Sequence, residues 1–496
     1  MTTKMLINAV DPEEYRVAFI KEGMLDGFQI ETSTAEQKVG NIYKGVIDRI
    51  EPKLQACFIN FGAEKNGFLP GDEVHPEYYQ NLGALPRDQA VPPVDRVLKK
   101  DQELLVQVTK EMPGRKGAHM TTYVSLAGRF LVLTPGRTIN GISKKIDDEL
   151  ERERLKAVMA SVKLPEGIGY IVRTVAAGQS KREISKDLNR LLRIWKNIRS
   201  RVQAAPRLSL IHKEQDICFR TLRDYYTSDV SEILVDEKEI YYKIKEYMKI
   251  VSPRDQGRVK YYKDGRPLFD QYEVEGQIES IYRNKVSLES GGSIVIDPTE
   301  ALIAIDVNSG RGLTGKDIES LAFKTNIEAA VEIARQLRLR DMGGLVVIDF
   351  IDMTDRKHIR EVEKILRDEL KKDRAKIDTS HISKFGLLEL SRQRLRPSIE
   401  SKSYQTCRYC HGKGMVMSVE SAAVSALRRI WMGASKGDVT RVTGILSGDV
   451  AAYLQNKKRK DLAEIEKRYG VTIILSGDPS VAPGEGKLEF HKGDAT

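Results

Sequence analysis

Two apolar segments of the sequence each end in aspartate, a pattern that can support metal-dependent chemistry. The segment ALIAIDVNS carries Asp306 and Asn308, and the segment GGLVVIDFID carries Asp349. Between them, apolar residues recur at spacings of three and four, which predicts a helix over 316–340. A strand–helix–strand crossover makes the two strands parallel, and ligands bind beyond the carboxyl ends of such strands. The pattern therefore predicts Asp306 and Asp349 at the same edge of a sheet, with Asn308 on the same face as Asp306.

These acids predict a divalent-cation site. Two carboxylates close together in apolar surroundings repel each other, and a cation compensates their charge. Mg²⁺ prefers oxygen ligands and often binds through one or two carboxylates plus substrate phosphate, where it can activate water for attack on a phosphodiester. The alternative is that strand-terminal aspartates only cap loops or helix N-termini, the usual role of one such residue. Asp352 is a weaker candidate, because it lies past the predicted strand end.

Aromatic residues in a second segment, ACFINFGAEKNGFLP, could stack on bases. Alternation along a strand places Phe58 and Phe61 on opposite faces, so one of them packs in the core and the other can be exposed. An exposed ring, together with Phe68 and with Lys65 or Lys116, would match the aromatic and basic surfaces that hold single-stranded nucleic acid. Core packing is the alternative for each phenylalanine.

The segment TCRYCHGKG places Cys407 and Cys410 at a spacing that suits zinc. The same pair followed by His411 also matches covalent haem attachment, and a Cys-x-x-Cys pair can be a thioredoxin-like redox site. Haem needs an axial partner, and the glycine-rich flank disfavours the redox pair. Structural zinc wants four ligands, but Cys57 and Cys218 are isolated in apolar contexts and are predicted to lie in the core. The ligand count therefore favours a Cys₄ site shared by two copies of the chain.

Two basic features permit contacts with phosphate. Arg173 and Thr174, in YIVRTVAAG, could hold phosphate through a bidentate guanidinium and a hydroxyl, although a surface position on a strand is the usual role of such a pair. The segment 181–201 predicts an amphipathic helix with eight lysines and arginines and two acids. This helix could face RNA, or its charges could form a solvated face.

The composition agrees with a soluble, folded chain of several domains. It has 496 residues, 41% hydrophobic and 31% charged, and 81 Lys/Arg against 71 Asp/Glu give a net charge of +10. That charge permits an RNA, DNA or anionic-membrane partner without choosing among them. The sequence has no run of 18 apolar residues and does not begin like a signal peptide, so a cytoplasmic protein without a membrane anchor is expected. Four cysteines exclude a disulfide scaffold.

Apolar runs separated by glycines predict the elements that must position these residues. Five short strands over 39–124 predict a small barrel of the OB-fold type. Residues 281–400 predict an α/β unit that holds the two acids, with Thr314 and Asp317 as a capping box at the start of its long helix. The tail is predicted to contain two helices and two strands: 418–434, 441–446, 449–468 and 471–475.

Several long strings in this sequence resemble the ribonuclease E/G family of bacterial endoribonucleases. They occur in order over nearly all of residues 1–490: NIYKGVIDRIEP, ACFINFGAEKNGFLP, TTYVSLAGRFLVL, GYIVRTVAAG, IDVNSGR, GGLVVIDFIDM, ELSRQRLRPS and TCRYCHGKG. The length resembles that of the short, ribonuclease G-like form, which lacks the long degradosome-scaffolding tail of ribonuclease E. The short form is therefore expected.

The resemblance implies a multidomain α+β fold in which an RNase H-like subdomain is interrupted by an OB-fold and a 5′-sensor. A DNase I-like α/β catalytic subdomain, a zinc-link and a small C-terminal α/β domain for dimerisation follow. The implied boundaries are 1–38 and 215–280 for the RNase H-like subdomain, 39–124 for the OB-fold, 125–214 for the 5′-sensor, 281–400 for the catalytic subdomain, 401–415 for the zinc-link and 416–496 for the dimerisation domain.

The resemblance also implies roles for individual residues. Asp306 and Asp349 would hold catalytic Mg²⁺, with support from Asn308. The remaining implied sites are RNA contacts at Phe58, Phe68 and Lys116, a 5′-monophosphate pocket at Gly128, Val132, Arg173 and Thr174, and zinc ligands at Cys407 and Cys410, which share the metal across a dimer. The sequence departs from the family pattern at Pro113, where a basic residue is expected, and His411 is not one of the family's zinc ligands.

Together these features predict a magnesium-dependent endoribonuclease that cuts single-stranded, AU-rich RNA and prefers 5′-monophosphate ends, in rRNA processing and mRNA decay. Metal-activated water would attack the phosphodiester and leave 5′-phosphate and 3′-hydroxyl ends. Expected partners are the RNA substrate and a second copy of the chain, with a tetramer left open. The rival prediction is a non-catalytic RNA-binding protein of translation or ribosome assembly, which would not need Asp306, Asn308 and Asp349. A redox or haem protein is the third class.

Overall fold

The computed structural model describes residues 2–32, 38–80, 92–111, 117–227, 229–310, 318–396 and 398–492. The chain divides into two compact units, 1–402 and 403–496. Among the described residues, no helix is long and apolar enough to cross a membrane. Four residues named above lie outside the described ranges: Pro113, Lys116, Thr314 and Asp317.

The first unit begins with an antiparallel sheet and a barrel. The three opening strands are β1 (Thr3–Asn8), β2 (Glu14–Lys21) and β3 (Met24–Thr32). The barrel region contains β4 (Ile42–Glu51), β5 (Ala56–Asn60), β6 (Gly67–Pro70), the single turn α1 (Val94–Val97), β7 (Glu103–Lys110) and β8 (His119–Thr121). Its strands pair in the order β4-β5-β6-β8-β7, and β7 pairs back onto β4. This closed five-stranded barrel is consistent with the predicted OB-like fold.

A small sheet and two helices follow the barrel. They are β9 (Leu126–Ala127), β10 (Leu131–Pro135), β11 (Asn140–Ile142), α2 (Glu149–Ala160), β12 (Ile168–Val172), α3 (Lys181–Ala204) and β13 (Ser209–His212). The sheet order is β11-β12-β10-β9, while β13 pairs with β4 of the barrel. Helix α3 confirms the helix predicted over 181–201. A capping box of Ser180 and Glu183 starts it, and Leu188 and Leu191 are buried on its apolar face.

The next segment returns to the opening sheet. It contains α4 (Ile217–Tyr225), β14 (Val230–Val235), α5 (Lys238–Val251), β15 (Val259–Tyr261), α6 (Leu268–Gln271) and α7 (Glu275–Ile281). Strand β14 pairs in parallel with β1, which gives the sheet order β15-β14-β1-β2-β3. The sheet thus joins chain segments from both sides of the barrel region. Its identification as an RNase H-like subdomain stays a prediction.

The α/β unit that carries the two acids completes the first unit. It contains β16 (Lys285–Ser287), β17 (Ser293–Pro298), β18 (Ile303–Asn308), α8 (Ile318–Leu339), β19 (Gly344–Asp349), α9 (Arg356–Leu370), β20 (Ile377–Thr379) and β21 (Leu387–Arg392), and the short α10 (Glu400–Ser403) follows. The sheet order is β16-β17-β18-β19-β21-β20, with β18 and β19 parallel. Helix α8 connects these two strands, and its Ala330, Ile333 and Leu337 lie in the core of the sheet. The predicted strand–helix–strand crossover is confirmed.

In its described residues, the second unit contains three strands and three longer helices. They are α11 (Val419–Ala434), β22 (Val439–Leu446), α12 (Gly448–Lys457), α13 (Arg459–Tyr469), β23 (Thr472–Gly477) and β24 (Lys487–Lys492), with the sheet order β23-β22-β24. The single helix predicted over 449–468 is wrong: the backbone leaves helical geometry at Lys458, which separates α12 from α13. Strand β24 was not predicted, because its mostly exposed residues lack an apolar pattern.

Candidate functional site

Asp306 and Asp349 form a registered pair across two neighbouring strands. Asp306 lies in β18, Asp349 is the last residue of β19, and the parallel pairing sets the two residues opposite each other. Their neighbours Ile305, Val307 and Ile348 are buried on the other face, because successive side chains of a strand alternate. The two carboxylates therefore share the exposed face of the sheet, and the predicted placement is confirmed.

Asn308 and Asp352 extend this pair into what we call the acidic site. Asn308 Nδ2 donates a hydrogen bond of 2.8 Å to Asp306 Oδ2, so the two side chains share a face as predicted. Asp352 lies past the end of β19, yet its charge reaches Asp349. Partial burial of Asp349, together with the charges of Asp306 and Asp352, raises its pKa. Asp352 therefore belongs to the same electrostatic cluster, although its position beyond the strand made it the weaker candidate.

The donor set of the acidic site fits Mg²⁺. In the part of the chain that the structure describes, none of the three carboxylates forms a salt bridge with lysine or arginine. Nor do those residues contain a group of three or more His, Cys, Asp or Glu side chains arranged to hold a metal ion. Mg²⁺ requires fewer protein ligands than that, since it keeps several waters and binds through one or two carboxylates plus phosphate. Asp306 and Asp349 thus suit magnesium, whereas a closed structural metal site would need more ligands.

Polar contacts from α8 fix the segment that follows β19. Asn326, which is fully buried, donates a hydrogen bond of 2.8 Å from Nδ2 to Ile351 O and accepts one of 3.1 Å from Ile351 N. Glu319, in the first turn of α8, accepts hydrogen bonds of 2.9 Å from both the backbone N–H and the hydroxyl of Thr354. Hydrogen bonding, led by the Thr354 N–H, lowers the pKa of Glu319 to about 2. The loop that carries Asp352 is thereby tied to α8 at two points.

An exposed phenylalanine and a lysine lie next to the acidic site. Gly386 has φ +78°, and a Cβ there would lie 3.3 Å from Asp352 Oδ1 and 3.8 Å from Asp349 Oδ1. The preceding residue, Phe385, is 70% exposed, and Lys384 Nζ lies 5.0 Å from the centre of its ring. The sequence reasoning missed both residues. An aromatic residue beside a lysine, in the string SKFGL, is the pattern that could have identified them.

Four side chains form a registered row across the barrel, which we call the aromatic row: Arg49 in β4, Phe58 in β5, Phe68 in β6 and His119 in β8. The ring centres of Phe58 and Phe68 are 5.9 Å apart, and those of Phe68 and His119 are 5.1 Å apart. The Arg49 guanidinium lies 4.6 Å from the centre of the Phe58 ring. Phe61, in contrast, is 3% exposed and packs in the barrel core. The prediction that Phe58 and Phe61 face opposite ways is confirmed.

Arg173 follows β12 directly, and its side chain is held on two sides. The guanidinium donates a hydrogen bond of 2.7 Å to Gly128 O and forms a salt bridge of 2.7 Å with Asp224 Oδ1. Asp224 also pairs with Arg223 at 3.1 Å. Burial raises the pKa of Asp224, but the charges of Arg223 and Arg173 outweigh burial and hold that pKa below its usual value. Arg173 is therefore a fixed cation rather than a loose surface side chain.

Strand pairing brings the residues of the predicted 5′-phosphate pocket together. Because β10 pairs with β12, Val132 lies opposite Ile171, two residues before Arg173. Thr174 follows Arg173 and is exposed. Gly128 lies just before β10, and its carbonyl accepts the hydrogen bond from Arg173. The four predicted residues are thus neighbours, although their role as a phosphate pocket is not tested by this placement.

A buried carboxylate from α3 anchors the segment that contains Gly128. Asp187 Oδ2 accepts backbone hydrogen bonds from Phe130 at 2.8 Å and from Leu131 at 3.2 Å. A Cβ at Gly128 would clash with the same oxygen, so a larger residue does not fit there without a shift. Asp187 therefore fastens the segment 128–131 to α3.

Cys407 and Cys410 lie in a turn of the second unit. Backbone N–H groups of the turn, that of Cys410 foremost, hydrogen-bond to the Cys407 sulfur and lower the pKa of its thiol. The thiolate is the form that binds zinc, so the turn suits a metal ligand. His411 Nε2 lies 2.9 Å from Glu485 Oε1, which agrees with its exclusion from the zinc ligands. The remaining two cysteines are buried, as predicted: Cys57 and Cys218.

Known proteins match this chain along nearly its whole length. Residues 125–395, which include the acidic site and Arg173, match the family model described as "Ribonuclease E/G family", and residues 406–490 match one described as "RNase E/G, Thioredoxin-like domain". The chain is 49% identical over 489 residues to the ribonuclease E of Haemophilus influenzae and 46% identical over 498 residues to that of Escherichia coli K12. These alignments cover 98% and 99% of this chain but 51% and 46% of the relatives, so the chain spans about half their length.

A third relative has a similar length. Ribonuclease G of Escherichia coli K12 is 36% identical over 479 residues, which are 97% of this chain and 98% of the relative. Identity is thus higher to the ribonucleases E, whereas length is closer to that of ribonuclease G, and the short form stays a prediction. Because a family model covers more than half of the chain and a ribonuclease aligns along nearly its full length, the chain belongs to the ribonuclease E/G family.

Proposed function

We propose that this chain is an endoribonuclease that hydrolyses single-stranded RNA with the help of Mg²⁺ held by Asp306 and Asp349. The observation that carries the proposal is the registered pair of carboxylates at the end of two parallel strands, in a chain whose relatives are named ribonucleases. Like charges at facing positions of neighbouring strands repel each other and do not stabilise the fold. They are useful where a cation and a phosphate must be brought together.

The residues of the acidic site have distinct parts in this proposal. When bound, Mg²⁺ would lower the pKa of the attacking water and neutralise charge on the phosphodiester. Asn308 orients the Asp306 carboxylate through its amide N–H. Asp352 adds negative charge beside Asp349, which strengthens the attraction for a cation. Hydrolysis leaves a 5′-phosphate on one product and a 3′-hydroxyl on the other.

Two aromatic surfaces support a single-stranded substrate. The aromatic row offers Phe58 and Phe68 on the barrel. We also assign Lys116, which lies outside the described residues, as a basic RNA contact. Phe385 offers a second ring beside the acidic site, close to where the phosphodiester would lie. Unpaired bases stack on such rings, whereas paired bases cannot reach them. AU-rich segments, which pair weakly, are the proposed targets, in rRNA processing and mRNA decay.

We assign recognition of a 5′-monophosphate end to Gly128, Val132, Arg173 and Thr174. Arg173 supplies a cation that is already held in place, and Thr174 supplies an exposed hydroxyl. Preorganised donors of this kind lose little side-chain entropy when they bind phosphate. The proposal therefore separates recognition of the 5′ end from the chemistry of the acidic site.

We further propose that Cys407 and Cys410 hold zinc together with the same pair of a second copy of the chain. The lowered pKa of the Cys407 thiol supports a metal ligand, and two chains supply the four ligands that structural zinc prefers. The resulting homodimer is the proposed active species, with pairing of dimers into a tetramer as a further step. Because all four cysteines are free, a reducing compartment such as the cytoplasm suits the protein.

A non-catalytic RNA-binding protein is the second candidate, and the barrel with its aromatic row favours it. Such a protein would bind RNA through the row and leave it intact. It gives no reason for placing Asp306 and Asp349 opposite each other beside an exposed ring. Cleavage therefore decides between the two candidates.

The test uses one AU-rich oligoribonucleotide made with a 5′-monophosphate and with a 5′-hydroxyl. We expect the purified chain to cleave both internally in Mg²⁺, to cleave the monophosphate form faster, and to stop in excess EDTA. Activity should return when Mg²⁺ is restored. Intact RNA in Mg²⁺, with binding retained, would favour the non-catalytic candidate, and cleavage in EDTA would remove the role of the metal.

A further inference from the structure

A pocket of about 280 Å³ lies outside the acidic site, between α3 and the C-terminal end of α5. Its polar wall contains four cations: Arg182, Lys186 and Arg190 on α3, and Arg254 just after α5. Its apolar wall contains Phe130 together with Ile250, which is 62% exposed in the last turn of α5. The pocket therefore combines positive charge with an apolar surface that is partly exposed.

The charge of this pocket is not balanced from within. Among the described residues, none of its four cations forms a salt bridge with a carboxylate. The pocket also contains two acids, but both are engaged elsewhere. Glu183 accepts hydrogen bonds from the backbone N–H and the hydroxyl of Ser180 in the capping box. Asp187 accepts hydrogen bonds from the backbone N–H groups of Phe130 and Leu131. The capping box uses the backbone N–H groups of Ser180 and Glu183, and the four cationic side chains supply the main attraction for an anion.

We infer that this pocket binds the phosphate of a nucleotide, either a free mononucleotide or a nucleotide within an RNA chain. Arginine and lysine side chains that lack carboxylate partners bind phosphate, and Arg190 is already oriented because its guanidinium lies 5.2 Å from the centre of the Tyr247 ring. Ile250 and Phe130 offer an apolar surface for a sugar or base. Small-molecule sites start at about 300 Å³. The volume of this pocket lies close to that lower limit and thus suits one nucleotide.

The pocket adjoins the segment that holds Arg173. Phe130 and Asp187 line the pocket, and the Phe130 carbonyl accepts a hydrogen bond of 2.8 Å from Arg173 N. A ligand that contacts Phe130 therefore touches the residue whose carbonyl holds the Arg173 backbone N–H. We expect pocket binding to change the preference for 5′-monophosphate RNA, and this second effect rests on the function proposed for Arg173.

The test measures binding of adenosine 3′-monophosphate, which has no 5′-phosphate, to the full chain by calorimetry. The pocket variant is Arg182→Gln with Lys186→Gln, and the control is Lys196→Gln with Arg199→Gln, which removes the same charge from the same helix outside the pocket. We expect the pocket variant to weaken binding about tenfold or more, since two charge-assisted contacts are lost, and the control to leave it unchanged. Binding should persist in Arg173→Gln, which removes the proposed 5′-phosphate contact.

A parallel titration with a 5′-hydroxyl single-stranded RNA identifies the source of the nucleotide. If only the RNA, and not the mononucleotide, loses affinity in the pocket variant relative to the control, the pocket binds a nucleotide of the RNA chain. Equal affinities of both variants for both ligands, with unchanged thermal unfolding, would overturn the inference, as would mononucleotide binding that disappears in Arg173→Gln alone. An unchanged 5′-end preference with intact pocket binding would reject only the coupling to Arg173.

Discussion

Asp306 and Asp349 lie directly opposite each other on neighbouring parallel strands, and both carboxylates are on the exposed face of the sheet. The same register buries Ile305 and Ile348 on the opposite face, against α8. The position of each acid is therefore set by the burial of its neighbours, because shifting either strand by one residue would move an aspartate into the core. This coupling makes the acidic site a rigid feature of the fold.

The first prediction concerns this pair. Asp306→Asn should lower the cleavage rate at least about 100-fold, because a metal ligand loses its charge, while RNA affinity should change only a few-fold. Both are measured on the same oligonucleotide, by gel assay and by fluorescence anisotropy. Asp378→Asn, which removes an exposed acid from β20 of the same sheet, is the control and should cleave normally. Cleavage by Asp306→Asn at the rate of the unmodified chain would refute the assignment.

The second prediction concerns the aromatic row. Phe58→Ala should weaken binding of single-stranded RNA by roughly 1–3 kcal/mol, because a stacking surface is lost. Phe58→Tyr keeps the ring and should bind nearly as well as the unmodified chain. Thermal unfolding of both variants shows whether the barrel is intact. If Phe58→Ala folds and binds RNA with unchanged affinity, the row does not contact RNA.

The spacing of apolar residues in helices, and their alternation with polar residues in strands, predict the parts of the fold that depend on burial. Apolar runs with helical spacing between them identify β18, α8 and β19, and hence the meeting of Asp306 and Asp349. Alternation likewise separates Phe58 from Phe61, since a strand has only two faces. Such patterns can be recognised in a single sequence, because the buried face of a helix or strand requires apolar residues at fixed local intervals.

Residues that meet through tertiary contacts escape this kind of reasoning. Asp224 lies 51 residues beyond Arg173 in sequence, and only folding brings the two side chains into a salt bridge. Phe385 lies beside the acidic site because the next residue, Gly386, approaches Asp352 and Asp349 in a turn with φ +78°, which no periodic pattern predicts. Asp352 lies outside a strand, so its proximity to Asp349 does not follow from the strand pattern. These positions depend on turns and on packing between distant segments, which one sequence does not encode in any regular spacing.

The third prediction concerns Phe385. Phe385→Ala should lower kcat/KM roughly 5- to 100-fold by removing a ring on which a base beside the phosphodiester can stack. Phe385→Trp should retain most of the activity. Tyr242→Ala, which removes an exposed aromatic residue of α5 remote in sequence from the acidic site, is the matched control. Equal kinetics of Phe385→Ala and Tyr242→Ala would show that the exposed ring does not position the substrate.

The fourth prediction concerns zinc. The chain should carry about half a zinc ion per copy, because two chains are required to supply four thiolates. Cys407→Ser with Cys410→Ser should release the metal and shift the protein from dimer to monomer, as metal analysis and light scattering can show. His411→Ala should retain the zinc, since His411 pairs with Glu485 instead. One full zinc per chain, or a double variant that stays dimeric, would contradict the shared site.

The fifth prediction concerns the anchoring of Arg173 by Asp224. Arg173→Gln should abolish the preference for 5′-monophosphate over 5′-hydroxyl RNA, while slow cleavage continues at the acidic site. Asp224→Asn should reduce the same preference, because Arg173 loses the charged partner that holds its guanidinium at 2.7 Å. The measurement is the ratio of the two cleavage rates. Thermal unfolding should also show a loss of stability of about 1–3 kcal/mol in Asp224→Asn, because a half-buried ion pair is broken.

Asp264→Asn, which removes an exposed acid, is the control and should leave both the ratio and the stability unchanged. A normal ratio in Arg173→Gln would place recognition of the 5′ end elsewhere, and a normal ratio in Asp224→Asn alone would show that Gly128 suffices to hold Arg173.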